Sequence, residues 1–248
     1  MAKPESMLLL LDNHDSFTYN LADYLAQLGH APVVKRPEEM TWADWQAGYD
    51  GVVLSPGPGH PAQVWPYQRI AGSNTVADCQ VPNTELESSI PNNLVEAVGH
   101  FAGRGIPILG ICLGHQAIGL WAGASLASQT EPVHGKIFRL WSIQRGLFEG
   151  LPQGFNVVRY HSLALAADSL PSCLNLDATC TSRHQGAEGQ LVVMAVSHKT
   201  LPIWGLQYHP EAALTEYGMV VIARWLKFCG LAPSIPMAKI PVSPTIKL

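Results

Sequence analysis

The run Pro107-Ile108-Leu109-Gly110-Ile111-Cys112-Leu113-Gly114-His115-Gln116 constrains this 248-residue chain more than any other stretch. A buried apolar segment stops at a thiol flanked by glycines, and a helical pattern begins just beyond it. A strand that turns tightly into a helix accounts for all three features. The glycines permit the tight backbone, and the following helix N-terminus favours a thiolate at Cys112. That is how a nucleophile is presented.

The rest of the ordered chain also alternates strands with helices. Met7 to Asp12 is a continuous apolar run ending in an acid, as buried parallel strands do. Phe17, Leu21, Leu25 and Leu28 then recur at helical spacing, with Asp15 or Ser16 as N-cap and Gly29 past the end. Val33-Val34 and Gly51 to Leu54 read as strands, the second running into Ser55-Pro56-Gly57-Pro58-Gly59. Ile106 to Ile111 is the strand before the thiol, and Gln116 to Trp121 belongs to the helix after it. Phe155 to Tyr160, Leu191 to Val196 and Ile203 to Tyr208 make the C-terminal part richer in strand. A last helix is expected from about Leu214 to Phe228, with Val220, Val221, Trp225 and Phe228 on its apolar face. The fold class is α/β: a mostly parallel central sheet flanked by helices, with a smaller strand-rich C-terminal part and sites at the carboxyl ends of strands.

One domain is expected over residues 7–230, with residues 1–6 a disordered N-terminus. Residues 62–100 form an insert longer than a compact domain needs. Within it, Ser89 is the expected cap of a short helix that lines up Leu94, Val95, Val98 and Phe101. The tail over 231–248 holds four prolines and no amphipathic period, so it should be extended or disordered.

Composition removes several function classes. A net charge of −4 gives no electrostatic reason to bind nucleic acid or an anionic membrane. The Leu8-to-Leu11 run ends at Asp12, too short for a membrane span or a signal-peptide core. The five cysteines include no CxxC pair, which points to a reduced, cytoplasmic protein without a disulfide framework. No GxxxxGK[ST] is present, no GxGxxG opens a helix, and no cluster has metal-ligand spacing.

The chemistry builds from Cys112 outward. A free thiol has a pKa of about 8.5, so it needs help to attack at neutral pH. Gln207-Tyr208-His209-Pro210-Glu211 supplies that help. Pro210 keeps His209 extended, and residues two apart on an extended chain point the same way, so Glu211 can orient the imidazole. The Ser55-to-Gly59 loop offers backbone donors in a stiff turn. Gly57 N–H and Leu113 N–H are the oxyanion candidates. A nucleophile, a base, an orienter and an oxyanion site together describe thiol-based acyl transfer.

Six segments, in this order, carry a resemblance: Asp12 to Asn20, Ser55 to Gly59, Gly110 to Gln116, His134-Gly135-Lys136, Arg159-Tyr160-His161-Ser162-Leu163 and His209-Pro210-Glu211. Over roughly residues 7–229 the chain resembles class I glutamine amidotransferases. Within them it is most similar to the glutaminase components of aminodeoxychorismate synthase and anthranilate synthase. The resemblance implies a Cys112–His209–Glu211 triad that hydrolyses L-glutamine through a thioester. It implies glutamine contacts at Gly57, Pro58, Gly59, Gln116, Ser162 and Leu163, and no cofactor or metal in this chain. It also implies a heteromeric partner, a chorismate-binding synthase subunit that consumes the ammonia. Val34-Lys35-Arg36 and Asp168 to Cys173 look more like the aminodeoxychorismate (folate) branch than the anthranilate (tryptophan) branch, and service to both is a further option. Three features depart from the family: Ala212 follows Glu211 in place of Ser, Ile137-Phe138 replaces a small polar pair, and the 62–100 insert is long. The competing readings are a stand-alone γ-glutamyl hydrolase and a non-catalytic interaction subunit.

Overall fold

Strand runs that are apolar at every position can be buried on both faces, and the central strands here are. The computed structural model describes residues 6–65, 90–129, 133–182 and 190–243. In chain order they contain β1 (Leu8–Leu11), α1 (Thr18–Gln27), β2 (Val33–Lys35), α2 (Trp42–Gln46), β3 (Gly51–Leu54), α3 (Leu94–Gly103), β4 (Ile108–Ile111) and α4 (Leu113–Trp121). Then follow β5 (Leu126–Ser128), β6 (Lys136–Ser142), β7 (Phe155–Arg159), β8 (Leu163–Leu165), β9 (Leu174–Thr181), β10 (Leu191–His198), β11 (Ile203–Leu206) and α5 (Gly218–Phe228).

One sheet of nine strands runs in the order β2-β1-β3-β4-β11-β10-β9-β6-β7, and β5 pairs with β8 beside it. The first five strands are parallel, and every pairing from β11 to β7 is antiparallel. The architecture is therefore α/β, with a parallel core and a strand-rich C-terminal part. In β1, Leu8 and Leu10 join one core while Leu9 and Leu11 join the other, as the two-residue repeat of a strand requires. The first core lies under α1 and α5 and includes Trp225; the second lies under α2, α3 and α4 and includes Trp45. Register places Leu54 beside Gly110 and Gly110 beside Gly205, so β3, β4 and β11 end together. Their carboxyl ends frame one site.

Several expectations need correction. The α1 N-cap is Phe17, while the Asp15 carboxylate accepts the Phe17 N–H at 2.8 Å. Asn93 caps α3 by accepting the Glu96 N–H at 3.0 Å; Ser89 lies outside the described residues, as does most of the 62–100 insert. Helix α5 starts at Gly218 rather than near Leu214, because Tyr217 turns at φ 59° and Thr215 and Glu216 bond β7 instead. Phe228 is 48% exposed and packs at a tilt against Trp204 instead of entering the core. Strands β6 and β9 are additions to the expected set: they mix buried and exposed positions and lack the unbroken apolar runs of the central strands.

The thiols and the two ends also differ. Cys112, Cys180 and Cys229 are free, but Cys173 is disulfide-bonded. Sequence spacing excludes a CxxC pair, not a bond between cysteines brought together in space. Ser6 Oγ meets His30 Nδ1 at 2.8 Å, so the disordered reading fails at that residue, and residues 1–5 lie outside the described set. The tail as far as 243 is docked. Leu231 and Ile240 are buried, Ser234 N–H donates to Leu28 O, and Tyr217 N–H donates to Val242 O at 2.5 Å. Apolar residues spaced between the prolines give an extended segment enough to bury. Among the described residues, no helix is long and apolar enough to cross a membrane.

Candidate active site

The elbow exists and it is strained. Cys112, at φ 51° and ψ −98°, is a non-glycine residue in a region where side chains rarely sit, and such strain concentrates at functional sites. Its neighbours make it possible. A Cβ on Gly114 would lie 2.5 Å from Leu54 O, and one on Gly110 would strike the Gly114 backbone. Strand β4 and helix α4 can therefore approach only through these two glycines. The Cys112 N–H donates to Leu206 O at 2.7 Å, fixing the elbow to β11.

The second glycine turn is pinned from β1. The Asn13 N–H donates to Ser55 Oγ at 2.8 Å and Asn13 Nδ2 to Ser55 O at 3.0 Å. Gly57 packs so closely on Asn13 that a Cβ there would sit 2.6 Å from its carbonyl oxygen. This locks the Gly57–Gly59 backbone beside the N-terminus of α4. As the first residue of that helix, Leu113 has no intrahelical acceptor for its N–H.

His209 and Glu211 sit as the extended reading predicts, with Nδ1 and Oε1 2.7 Å apart and both side chains buried. An isolated β-bridge to Val158 holds the His209 backbone, and Thr215 Oγ1 donates to His209 O at 2.7 Å. Tyr160 and Phe17 pack edge-on against the ring, with centroids at 5.0 and 5.4 Å. Burial alone would push the imidazole toward neutrality. The Glu211 carboxylate and the Cys112 thiol outweigh it and hold His209 well above its usual range. Since Glu211 occupies Nδ1, Nε2 is the nitrogen left to serve Cys112.

A cavity of about 190 Å³ opens at the thiol. Its walls contain Gly57, Pro58, Gly59, Cys112, Leu113, Gln116, Ser162 and Leu163, all named from sequence, together with Tyr160 and His161. Gln116 Nε2 donates to Leu163 O at 2.9 Å and to Gln207 Oε1 at 3.2 Å. His161 Nδ1 also meets Leu163 O, at 2.8 Å, while its Nε2 accepts from Arg159 Nε at 3.0 Å. Burial, reinforced by the Arg159 cation, pushes His161 down to about 3, so it stays neutral with its proton on Nδ1. Arg159 is fully buried and lies 4.2 Å over the Phe138 ring. Phe138 is one of the family departures, and here it forms a cation–π platform.

Sequence reasoning left Tyr160, His161, Arg159, Gln207 and Thr215 without roles. Three of them sit in the Arg159-to-Leu163 motif, but their function depends on contacts with other strands. Among the described residues no group of three His, Cys, Asp or Glu side chains could hold a metal.

The glutamine amidotransferase class-I family model matches residues 9–228, and the chain belongs to that family. It is 38% identical over 226 residues to "Anthranilate synthase component 2" of Mycobacterium tuberculosis, covering 90% of this chain and 82% of that one. It is equally 38% identical over 221 residues to "Aminodeoxychorismate synthase component 2" of Serratia marcescens, covering 89% and 99%. The fold also matches a candidate GMP synthase subunit from Thermoplasma acidophilum, with a TM-score of 0.64 and 24% identity, over 92% of this chain and 96% of that one.

Proposed function

We propose that this chain is the glutamine-hydrolysing subunit of a chorismate-utilising synthase, acting through a Cys112–His209–Glu211 triad. The observation that carries the reading is the strained Cys112 elbow at the cavity, backed by the buried His209–Glu211 pair. The cavity is smaller than the roughly 300–1,000 Å³ of sites for drug-sized ligands, which suits an amino-acid side chain.

The Cys112 thiolate attacks the γ-carboxamide carbon of glutamine, and the oxyanion turns toward the Gly57 and Leu113 N–H groups. Collapse breaks the C–N bond as the His209 imidazolium gives its proton to the departing ammonia. A γ-glutamyl thioester remains. His209, now neutral, takes a proton from water, which attacks the thioester and releases glutamate and the thiolate. Glu211 holds the ring and stabilises each imidazolium. With both Gln116 amide protons used by Leu163 and Gln207, its Oε1 is left to receive a substrate N–H. Pro58, Gly59, Ser162 and Leu163 supply the remaining contacts along the substrate.

Ammonia must then reach an acceptor. Relatives named as second components of two synthases support a separate synthase partner and a heteromer. They match equally well, so the branch rests on Val34-Lys35-Arg36 and Asp168 to Cys173, which favour aminodeoxychorismate. The attacking thiol must be kept free, which fits a cytoplasmic setting, while the Cys173 disulfide points the other way.

The test is glutamine-dependent amination of chorismate with each synthase partner, using Cys112→Ala as control. The expected result is one aminated product with glutamine, at least about 10⁴-fold less with Cys112→Ala, and full activity restored by ammonia. Glutamine turnover that ignores both synthases would make the chain a stand-alone hydrolase. Activity with ammonia alone would make it non-catalytic.

A further inference from the structure

Gln207 lies two residues before His209 and is fully buried, yet no step above uses it. Its Nε2 is 3.6 Å from Cys112 Sγ, within hydrogen-bond range for sulfur. An amide can be reversed, so the direction of that contact must be argued from its neighbours. Leu163 O can only accept, so it draws the NH₂ of Gln116 toward it. The same NH₂ reaches Gln207 at 3.2 Å, and only the Gln207 carbonyl can receive it. The Gln207 NH₂ therefore faces the sulfur. Reversal would set NH₂ against NH₂ at one end and a carbonyl oxygen against the thiolate at the other. A backbone carbonyl thus fixes the polarity of two side chains in series.

We propose that Gln207 is a further residue of the thiol centre, donating a hydrogen bond to Cys112 Sγ that holds it as thiolate and aims it at the cavity. The donor complements His209. The imidazole must release its proton during the reaction, whereas an amide donor keeps its own throughout. The shared Gln116–Gln207 contact also ties the side chain that meets substrate to the atom that attacks it. The proposal rests on the reading of Cys112 as nucleophile and adds one partner to it.

The test is the pH dependence of Cys112 alkylation by iodoacetamide, followed at the level of the Cys112 peptide so that Cys180 and Cys229 do not interfere. Titratable groups on the elements around Cys112 are His209 with Glu211 behind it, Tyr160 and His161 across the cavity, and His115 on α4; all are left intact. Gln207→Met keeps the length and removes the donor. It should raise the alkylation inflection by about one to two pH units, with about ten-fold slower labelling below it. Gln207→Leu also removes the donor and adds no charge, so its rise should match. The second variant carries the test if the first does not fold, and a packing role would leave the thiol inflection where it was. An unchanged inflection in either folded variant overturns the proposal. Labelling does not require glutamine turnover, so a parent with a sensitive thiol and no glutaminase activity would sink the proposed function alone.

Discussion

The two halves of the sheet contribute different things to one cavity. The parallel half, from β2 to β11, ends in the Gly57 loop and Cys112 and leads into the His209 segment. Its strands end in step, and α4 starts with free N–H groups, so Cys112 and the proposed oxyanion donors converge without long side chains. The antiparallel half, from β10 to β7, donates none of the triad. It supplies the wall from Tyr160 to Leu163, and that wall is set by buried polar contacts from Arg159 through His161 to the Leu163 carbonyl. On the proposed function, chemistry comes from where strands end and recognition from how a loop is tethered.

That division can be broken or sharpened by substitution. The largest effect is expected for Glu211→Gln, which removes the charge that holds His209 as imidazolium. Glutamine turnover should drop by about 10³–10⁴-fold, read as kcat in a steady-state assay. A histidine raised in the folded state stabilises it fully below the unfolded value near 6.5 and ceases to as pH climbs through the folded value. The variant should therefore lose most stability relative to the parent near pH 6, with the gap closing toward alkaline pH in denaturant titrations.

Thr215 joins the halves, since its hydroxyl donates to His209 O while accepting the Val158 N–H at 3.0 Å. Thr215→Val keeps the shape but takes the hydroxyl from both groups, leaving His209 O only the Ala212 N–H at 3.3 Å, at a cost of about 1–3 kcal/mol in unfolding free energy. A loss well below that range would mean the halves do not depend on this link. Arg159→Met tests the tether on the recognition side. KM for glutamine should rise about ten-fold while kcat changes much less. A fall in kcat at constant KM would erase the distinction between the two halves.

The smallest effect belongs to Asp177 on β9, far from the chemistry. Burial raises its carboxyl from 3.8 to about 6, so between those values the folded state holds a proton that the unfolded state has released; stability falls across that window and levels off above it. Asp177→Asn should be more stable than the parent by about 1 kcal/mol at pH 8, with no gain near pH 4. Glutamine kinetics should not move.

The parallel half was legible because its signals are local. Unbroken apolar runs, Gly110 and Gly114 around Cys112, and a proline after His209 each dictate backbone shape within a few residues. The antiparallel half was legible only in part. β6 and β9 mix buried and exposed positions without a strict two-residue repeat, and the Cys173 disulfide is one that no spacing rule reports. The tail reads as extended or disordered because it has no period, yet Leu231 and Ile240 find core against the rest of the molecule.

The sequence by itself determined the α/β order, the elbow, the His209–Glu211 pair and the residues that line the cavity, because each is written in short-range backbone preference or in motif order. Tertiary structure alone decided which groups serve that cavity from behind. Gln207 meets Cys112 across 95 residues, Gln116 meets Leu163 across 47, and a family-atypical Phe138 finds the Arg159 cation. Hydrogen bonds and buried charges are settled by distance in space, and chain order does not specify that distance until the sheet has closed.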